Sequence, residues 1–449
     1  MTHLLYPTTN LKAIEQLTIT RGEGVYVYDD RGRRYLEGLA GLWCTSLGYG
    51  NEELVEAAAA QMRQLSYQHL FGGKTHPSAI ALAERLAAML PVPDAHVFFG
   101  NSGSDANDTH WKLLRYYYNA IGQPAKRKII VRKAAYHGVT VAAASFTGLQ
   151  GNHTHFDLPF EALGILRTEA AHFYRHGLPG ESETEYATRL AANLEELILR
   201  EDPRTIAAFM AEPVSGAGGV LVAPATYWEK VQAVLRKYDI LLIDDEVITG
   251  FGRTGNDFGA TTFGIRPQML TLAKAVTSGY LPLSVAVISG AMYEPFATAS
   301  EKVGAFGHGY TYSGHPASCA VALKTLEIYA RERIFEHAAR VGAYLQRRLR
   351  ELAPHPLVGD VRGVGLIAAL ELVANKQTGQ PFEGTRVGLY TQHCAQQHGL
   401  IVRALPGNTI AICPPLVITE SQVDELVEAL RVALDETLDY TRRERLLTG

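Results

Sequence analysis

The chain has 449 residues, 47% of them hydrophobic and 20% charged, enough apolar side chain to fill a large core divided among two or three domains. Its formal charge of −4 is small for this length, and no stretch mixes clustered Lys and Arg with aromatics, which argues against a nucleic-acid partner or an anionic membrane. No window holds the roughly 20 apolar residues of a membrane span, and the opening MTHLLYPTTN lacks a basic segment followed by an apolar run, so the expectation is a cytoplasmic protein acting on small molecules.

In chain order, GVYVYDDRGRRYLEG (residues 24–38) alternates on either side of a DDRG turn and predicts an antiparallel hairpin. From about residue 80 to 290, short apolar runs (KIIVR, TIAAFMAEPV, ILLIDDEV, MLTLAK, SVAVIS) are separated by helical stretches, the pattern of an α/β fold with a mostly parallel sheet and covering helices. Residues 148–181 are polar and weakly periodic, which predicts a long loop. Residues 319–353 read as one long amphipathic helical run, followed by strand-like GVGLIAALELV and a final helix, SQVDELVEALRVALDETL. A second, smaller α+β unit is implied, and with no linker or repeat dividing the chain, the N-terminal hairpin could join it in space.

Cys44, Cys319, Cys394 and Cys413 are scattered without CxxC spacing, the mark of buried thiols rather than a disulfide framework or metal site. His153, His155, His172 and His176 have HxH and HxxxH spacings but no evident third ligand, so no metal is expected and they read as solvated. The sequons at Asn107 and Asn152 carry no weight without a secretion signal.

Three constellations bear on chemistry. In FFGNSGSDAND an apolar strand ends in a Gly/Ser turn that opens a helix, where free backbone amides with Ser102 and Ser104 suit a phosphate, or merely cap the helix. ILLIDDEVITGFGRTG contains GFGRTG, a literal match to the dinucleotide pattern GxGxxG, but the acid such a site needs about 20 residues on is missing. Its acids alternate, so Asp245 faces one way while Asp244 and Glu246 face the other, which disfavours a three-acid metal site. In MLTLAKAVTSG, Lys274 follows directly on an apolar strand; partly removed from water it would supply the neutral amine that attacks an aldehyde. A phosphate turn, a strand-end acid and a strand-end lysine together meet the needs of pyridoxal 5′-phosphate.

With these motifs in place the chain, from about residue 24 to 430, resembles the class III pyridoxal-phosphate aminotransferases, of fold type I. The resemblance implies an α/β large domain with a mostly parallel central sheet and a smaller discontinuous α+β domain, divided at 1–62, 63–325 and 326–449. It implies Lys274 as the Schiff-base lysine and Asp245 as the partner of the ring nitrogen. NSGSDAND matches the phosphate turn at Ser102, Gly103 and Ser104, with Asp105 where the family commonly has Glu. AAYHG matches the motif that sets Tyr136 over the cofactor ring, with His137 beside it, and Val247 matches the apolar residue on the other face. HGYTYSGHP resembles the segment that crosses a dimer interface, which would bring Thr311 to the partner subunit's phosphate, so a homodimer with shared active sites is implied, two of which could form a tetramer.

Within the class the chain looks most like the ω-amine:pyruvate branch, with Trp43 of AGLWC and Phe71 of HLFGGKTHP as pocket aromatics and Arg403 of GLIVRALPGN as its mobile arginine. Such an arginine can clamp an oxo acid's carboxylate and swing away for an apolar amine. Glu212 of AEPVSGAGG matches a glutamate near the cofactor and would neutralise Arg403 between substrates. The expected partners are therefore a small amine or ω-amino acid donor and an oxo-acid acceptor, pyruvate rather than 2-oxoglutarate. Aminomutase and decarboxylating transaminase chemistries share the fold and stay open.

Overall fold

The computed structural model of the chain describes residues 3–448. Seven strands form the central sheet in the order His96–Gly100, Ser284–Ile288, Met269–Leu272, Leu241–Asp245, Ile206–Ala211, Lys128–Arg132 and Ile165–Thr168. Ser284–Ile288 is antiparallel to both its neighbours, and every other pairing in the sheet is parallel. Strands buried on both faces need apolar residues at every position rather than at alternate ones, which is why IAAFMA is buried throughout.

The pleat sorts side chains between two layers. Ile129, Val131, Met210 and Ile243 pack with Leu113, Leu114 and Tyr118 of the helix Gly103–Ala120. Ile130, Phe209 and Leu242 point the other way, to Tyr186 and Leu190 of Glu183–Arg200 and Trp228 of Tyr227–Lys237. At the end of Leu241–Asp245 the same alternation sends Asp245 toward the first layer, and Asp244 and Glu246 toward the second.

A second, antiparallel sheet runs Val358–Val364, Ile367–Asn375, Thr409–Ile412, Arg403–Leu405. The helix Ile334–Arg350 packs on Val358–Val364, and Arg386–Gln397 packs on Arg403–Leu405 and Thr409–Ile412, while Glu420–Arg443 packs against both helices. The N-terminal strands Ile19–Glu23, Tyr26–Asp29 and Arg34–Glu37 form an antiparallel meander, and its turn is closed by Asp29 Oδ1 accepting from Arg31 N and Arg33 N. Leu36 and Glu37 pair with Leu400 and Ile401, so the two ends of the chain share one sheet.

Two expectations need correction. The polar insert is not all loop, because Ile165–Thr168 is the edge strand of the central sheet. Only four residues long and just partly buried, it lacks the apolar run that marks its inner neighbours. The helical run at 319–353 is two helices, Pro316–Arg331 and Ile334–Arg350, broken where Arg333 takes a left-handed φ of 53°. No helix among the described residues is long and apolar enough to cross a membrane.

Candidate active site

Asp245 pairs with Thr271 across two parallel strands, so Asp245 and Lys274 emerge at the same carboxyl edge of the sheet, where open α/β folds hold ligands. Lys274 opens a short 3-10 turn, Lys274–Thr277, with φ at +48°. That conformation costs a non-glycine residue about 1 kcal/mol and re-aims the side chain out of the strand direction. The amine makes no hydrogen bond or ion pair with any described residue. Burial lowers its pKa from the ordinary lysine value, while Cys44, Asp245 and Glu212 close by partly offset the effect.

Asp245 is 3% exposed and fully committed on its protein side. Its Oδ2 accepts from His137 Nδ1 at 2.7 Å and from Asn107 Nδ2 at 2.9 Å, and Oδ1 accepts from Val247 N at 3.2 Å. Two donors converging on one oxygen fix the orientation of the carboxylate. Asn107 also donates to His137 O at 2.7 Å and accepts from Thr271 Oγ1 at 2.7 Å, so it ties together the helix, both strands and the histidine. Sequence reading missed Asn107 and Thr271. The signal was there, since Asn107 lies one turn into the helix that opens at the phosphate turn, on the face turned to Asp245.

The Gly/Ser turn is a capping box. Ser102 Oγ accepts from Asp105 N, and the Asp105 carboxylate accepts from Asn101 N, Ser102 N and Ser284 Oγ. The short aspartate works because Gly100 has no side chain; a Cβ there would lie 2.4 Å from Asp105 Oδ1. As the first residues of the helix, Gly103 and Ser104 have backbone N–H groups with no intrahelical acceptor, the arrangement that receives a phosphate. Gly103 lies against Val247, whose Cγ2 would be 3.0 Å from a Cβ at 103. Ser104 Oγ accepts from Val139 N, which ties the Tyr136 segment to this turn.

Tyr136 is half-buried at the same edge, and Arg403 is near enough to affect its ionisation. Arg403 makes no hydrogen bond or ion pair with any described residue, and burial lowers its pKa from the ordinary arginine value. Glu212 makes no ion pair with it. One Glu212 oxygen accepts from Tyr136 N at 3.0 Å and the other from Gly216 N at 2.9 Å, so each oxygen is tied to backbone. Burial pushes its pKa up.

Trp43, 3% exposed with φ at +64°, packs among Val214, Ile248, Leu405 and Cys413 and links the N-terminal segment to both halves of the site. Cys44 follows it and touches Gly279, just past the lysine turn. The Phe71 ring sits against Gly309, Tyr67 OH donates to Thr311 O, and Phe71 and Thr311 are exposed beside a cavity of about 420 Å³ lined by Leu70, Phe98 and Phe306.

The GFGRTG turn is a structural fastener. Arg253 is buried and donates to Leu366 O and Pro414 O, and Gly252 packs against Phe335 and Leu416. Two of the insert's histidines are also not solvated. His153 Nε2 bonds Thr147 O at 2.7 Å, and His172 Nε2 lies 3.2 Å from Glu371. His172, Asp360 and Glu371 come close together, yet Arg362 pairs with both acids and Arg175 pairs with Glu371, so cations already occupy those carboxylates. All four cysteines are free thiols, three of them buried.

An unpartnered buried amine, a carboxylate clamped by a histidine and an amide, and an open helix N-terminus fit pyridoxal phosphate. Residues 9–434 match the family model "Aminotransferase class-III". A gamma aminobutyrate transaminase 1 (mitochondrial) from Solanum lycopersicum is 46% identical over 426 residues, covering 94% of this chain and 82% of its own. A probable gamma-aminobutyrate transaminase 2 (mitochondrial) from Oryza sativa subsp. indica is 47% identical over 427 residues, covering 94% of this chain and 85% of its own. Among solved structures, an omega transaminase from Pseudomonas jessenii in complex with PMP superposes with a TM-score of 0.95 at 50% identity, covering 98% of this chain and 97% of that one. A structure described as a transaminase with L-ala gives 0.92 at 52%, covering 94% of this chain and 100% of that one. The chain belongs to the class III aminotransferases and is a pyridoxal-phosphate-dependent enzyme of fold type I.

Proposed function

We propose that the enzyme moves an amino group from a primary amine or ω-amino acid to pyruvate, releasing a carbonyl product and alanine. The observation that carries this reading is Arg403, a half-buried guanidinium at the site with no carboxylate partner among the described residues. One free guanidinium matches the single carboxylate of pyruvate, which it can hold bidentately. The neighbouring structure with L-ala supports alanine as product, and the relatives named for gamma-aminobutyrate support an ω-amino acid among the donors.

Pyridoxal phosphate, when bound, supplies the electron sink that lets amine and oxo acid exchange an amino group. The remaining work falls to side chains. Ser102, Gly103 and Ser104 would take the phosphate at the helix start, and Tyr136 and Val247 would hold the ring. Asp245, fixed by His137 and Asn107, would partner the ring nitrogen. Lys274 Nζ would hold the cofactor and, once freed, would be the base that takes the proton from the donor's amine-bearing carbon. Glu212 fixes the backbone of Tyr136, and Trp43 walls the pocket against apolar substituents. Phe71 and Thr311 act in the partner subunit's site of a homodimer, a reading supported by their exposure. Residues 1–62 and 326–449 form the small domain around the large domain of 63–325, supported by the Leu36–Leu400 pairing.

The test is a panel of diamines, ω-amino acids, taurine and arylalkylamines offered with pyruvate or 2-oxoglutarate, following alanine or glutamate. Alanine is expected to form faster with the preferred donor. A clear preference for 2-oxoglutarate would overturn the assignment of Arg403 to a monocarboxylate.

A further inference from the structure

Asp244 and Glu246 flank Asp245 but face the opposite layer, and both are buried, at 0% and 1% exposure. Glu246 is well supplied with donors. Its oxygens accept from Ala260 N at 2.6 Å, from Gly259 N at 3.0 Å and from the Thr249 hydroxyl. It thereby caps the short helix Gly259–Phe263 and closes the loop that begins at Val247. Asp244 is the reverse case, since neither of its carboxyl oxygens has a donor from any described residue.

The ionisable groups facing Asp244 are Glu246 and Asp245 from its own segment and Arg132 from the strand two places across the sheet. Arg132, 1% exposed, donates to Glu212 O and Ser215 Oγ and forms no ion pair with any described residue. One positive charge can balance one carboxylate here but not two, and a buried carboxylate without donors is far costlier than its neutral acid. Glu246 has the donors, so it is the better place for the charge.

We propose that Asp244 is a neutral carboxylic acid that donates its proton to Glu246, and that this shared proton pins the 246–260 loop, keeping Val247 and Asp245 aimed at the cofactor. The first half stands on burial and the donor count; the second rests on the cofactor reading above. Burial, then Glu246 and Asp245 beside it, raise the Asp244 pKa well above the usual carboxylate value, and burial raises that of Glu246 to about 7. Asp244 is on this account a positioning residue.

The test compares holoenzyme of the wild type, Asp244→Asn, which keeps a donor for Glu246, and Asp244→Leu, which removes it. The wild-type-minus-Asn infrared difference spectrum at neutral pH should contain the carbonyl band of a protonated carboxylic acid, shifted in heavy water. Its absence overturns the neutral acid. Wild-type protein labelled with ¹³C at the aspartate carboxyl carbons gives a check independent of the variants' folding: one aspartate signal should stay protonated at neutral pH, and none doing so overturns the proposal. Asp244→Leu should bind added pyridoxal phosphate about tenfold more weakly, the loss of one charge-assisted hydrogen bond, and shift its visible band, while Asp244→Asn restores both. Unchanged binding and spectrum in Asp244→Leu overturns the pinning role. A wild type that binds no pyridoxal phosphate overturns the cofactor reading and the pinning role, but leaves the infrared result to decide the protonation.

Discussion

Replacing Asn107 by Ala removes a buried amide that makes three hydrogen bonds, to Asp245 Oδ2, to His137 O and from Thr271 Oγ1. His137 O then loses its side-chain donor and Thr271 its acceptor, at 1% and 0% exposure of Asn107 and Thr271, with no route for water. Each unmet buried group costs about 1–3 kcal/mol, and Asp245 keeps only its histidine on that oxygen, so the expected destabilisation is about 3–5 kcal/mol. In a chain of this size a kilocalorie shifts Tm by about 1 °C, so the apoenzyme should melt about 3–5 °C lower. Scanning calorimetry or dye-monitored melting of apo and holo protein measures this directly. Asn107→Asp is the sharper companion, since it sets a second carboxyl beside Asp245. It also replaces the amide donor to Asp245 with an acceptor, so cofactor binding should weaken relative to wild type. Apo Asn107→Ala melting within about 1 °C of wild type would refute the assignment, because a solvated or redundant amide behaves that way.

Arg403→Ala should raise KM for pyruvate by about ten- to a hundredfold, the worth of a charge-assisted clamp, while leaving KM for an uncharged arylalkylamine donor within about threefold; steady-state kinetics with each substrate varied measures both. Glu37 is pushed up to about 7 by burial, despite backbone donors at Leu39 and Gly41. An acid with a raised folded pKa contributes stability below its unfolded pKa and loses it as pH rises through the folded one. Glu37→Gln should therefore flatten the fall in Tm between about pH 5 and 7. Glu371 is the opposite case: burial alone would raise it, but His172, Arg362 and Arg175 hold it down to about 2. Its stability is present above the unfolded pKa and lost as pH falls, so Glu371→Gln should destabilise at neutral pH and narrow its deficit in acid, read from Tm against pH.

The parts of the site legible in the sequence are those carried by local pattern. Lys274 and Asp245 stand at the ends of unbroken apolar runs, and the Ser102–Ser104 turn sits between a strand and a helix start, so order along the chain nearly determines place in the sheet. Asn107 was invisible because its role depends on a helix crossing over two strands more than a hundred residues away, and on the helical phase that turns it inward. Glu212 was legible as a site acid but not by partner, since nothing in AEPVSGAGG shows that the backbone of Tyr136 and Gly216 reaches it first. The strand Ile165–Thr168 escaped notice because an edge strand is half-wet and carries no apolar run. The break at Arg333 is a matter of one backbone angle, which composition does not reveal.

The joining of Leu36 and Glu37 to Leu400 and Ile401 sets the order in which the molecule can be completed. The N-terminal strands leave the ribosome first, yet their partner emerges only after nearly the whole chain, tens of seconds later at about 5–20 residues per second. Throughout that interval Arg34–Glu37 presents an unpaired edge while the seven-stranded sheet assembles beside it. Truncation after residue 399 would therefore remove more than a terminal helix. It would leave the first-made strands without the neighbour that completes their sheet, an edge exposed to pairing with other nascent chains.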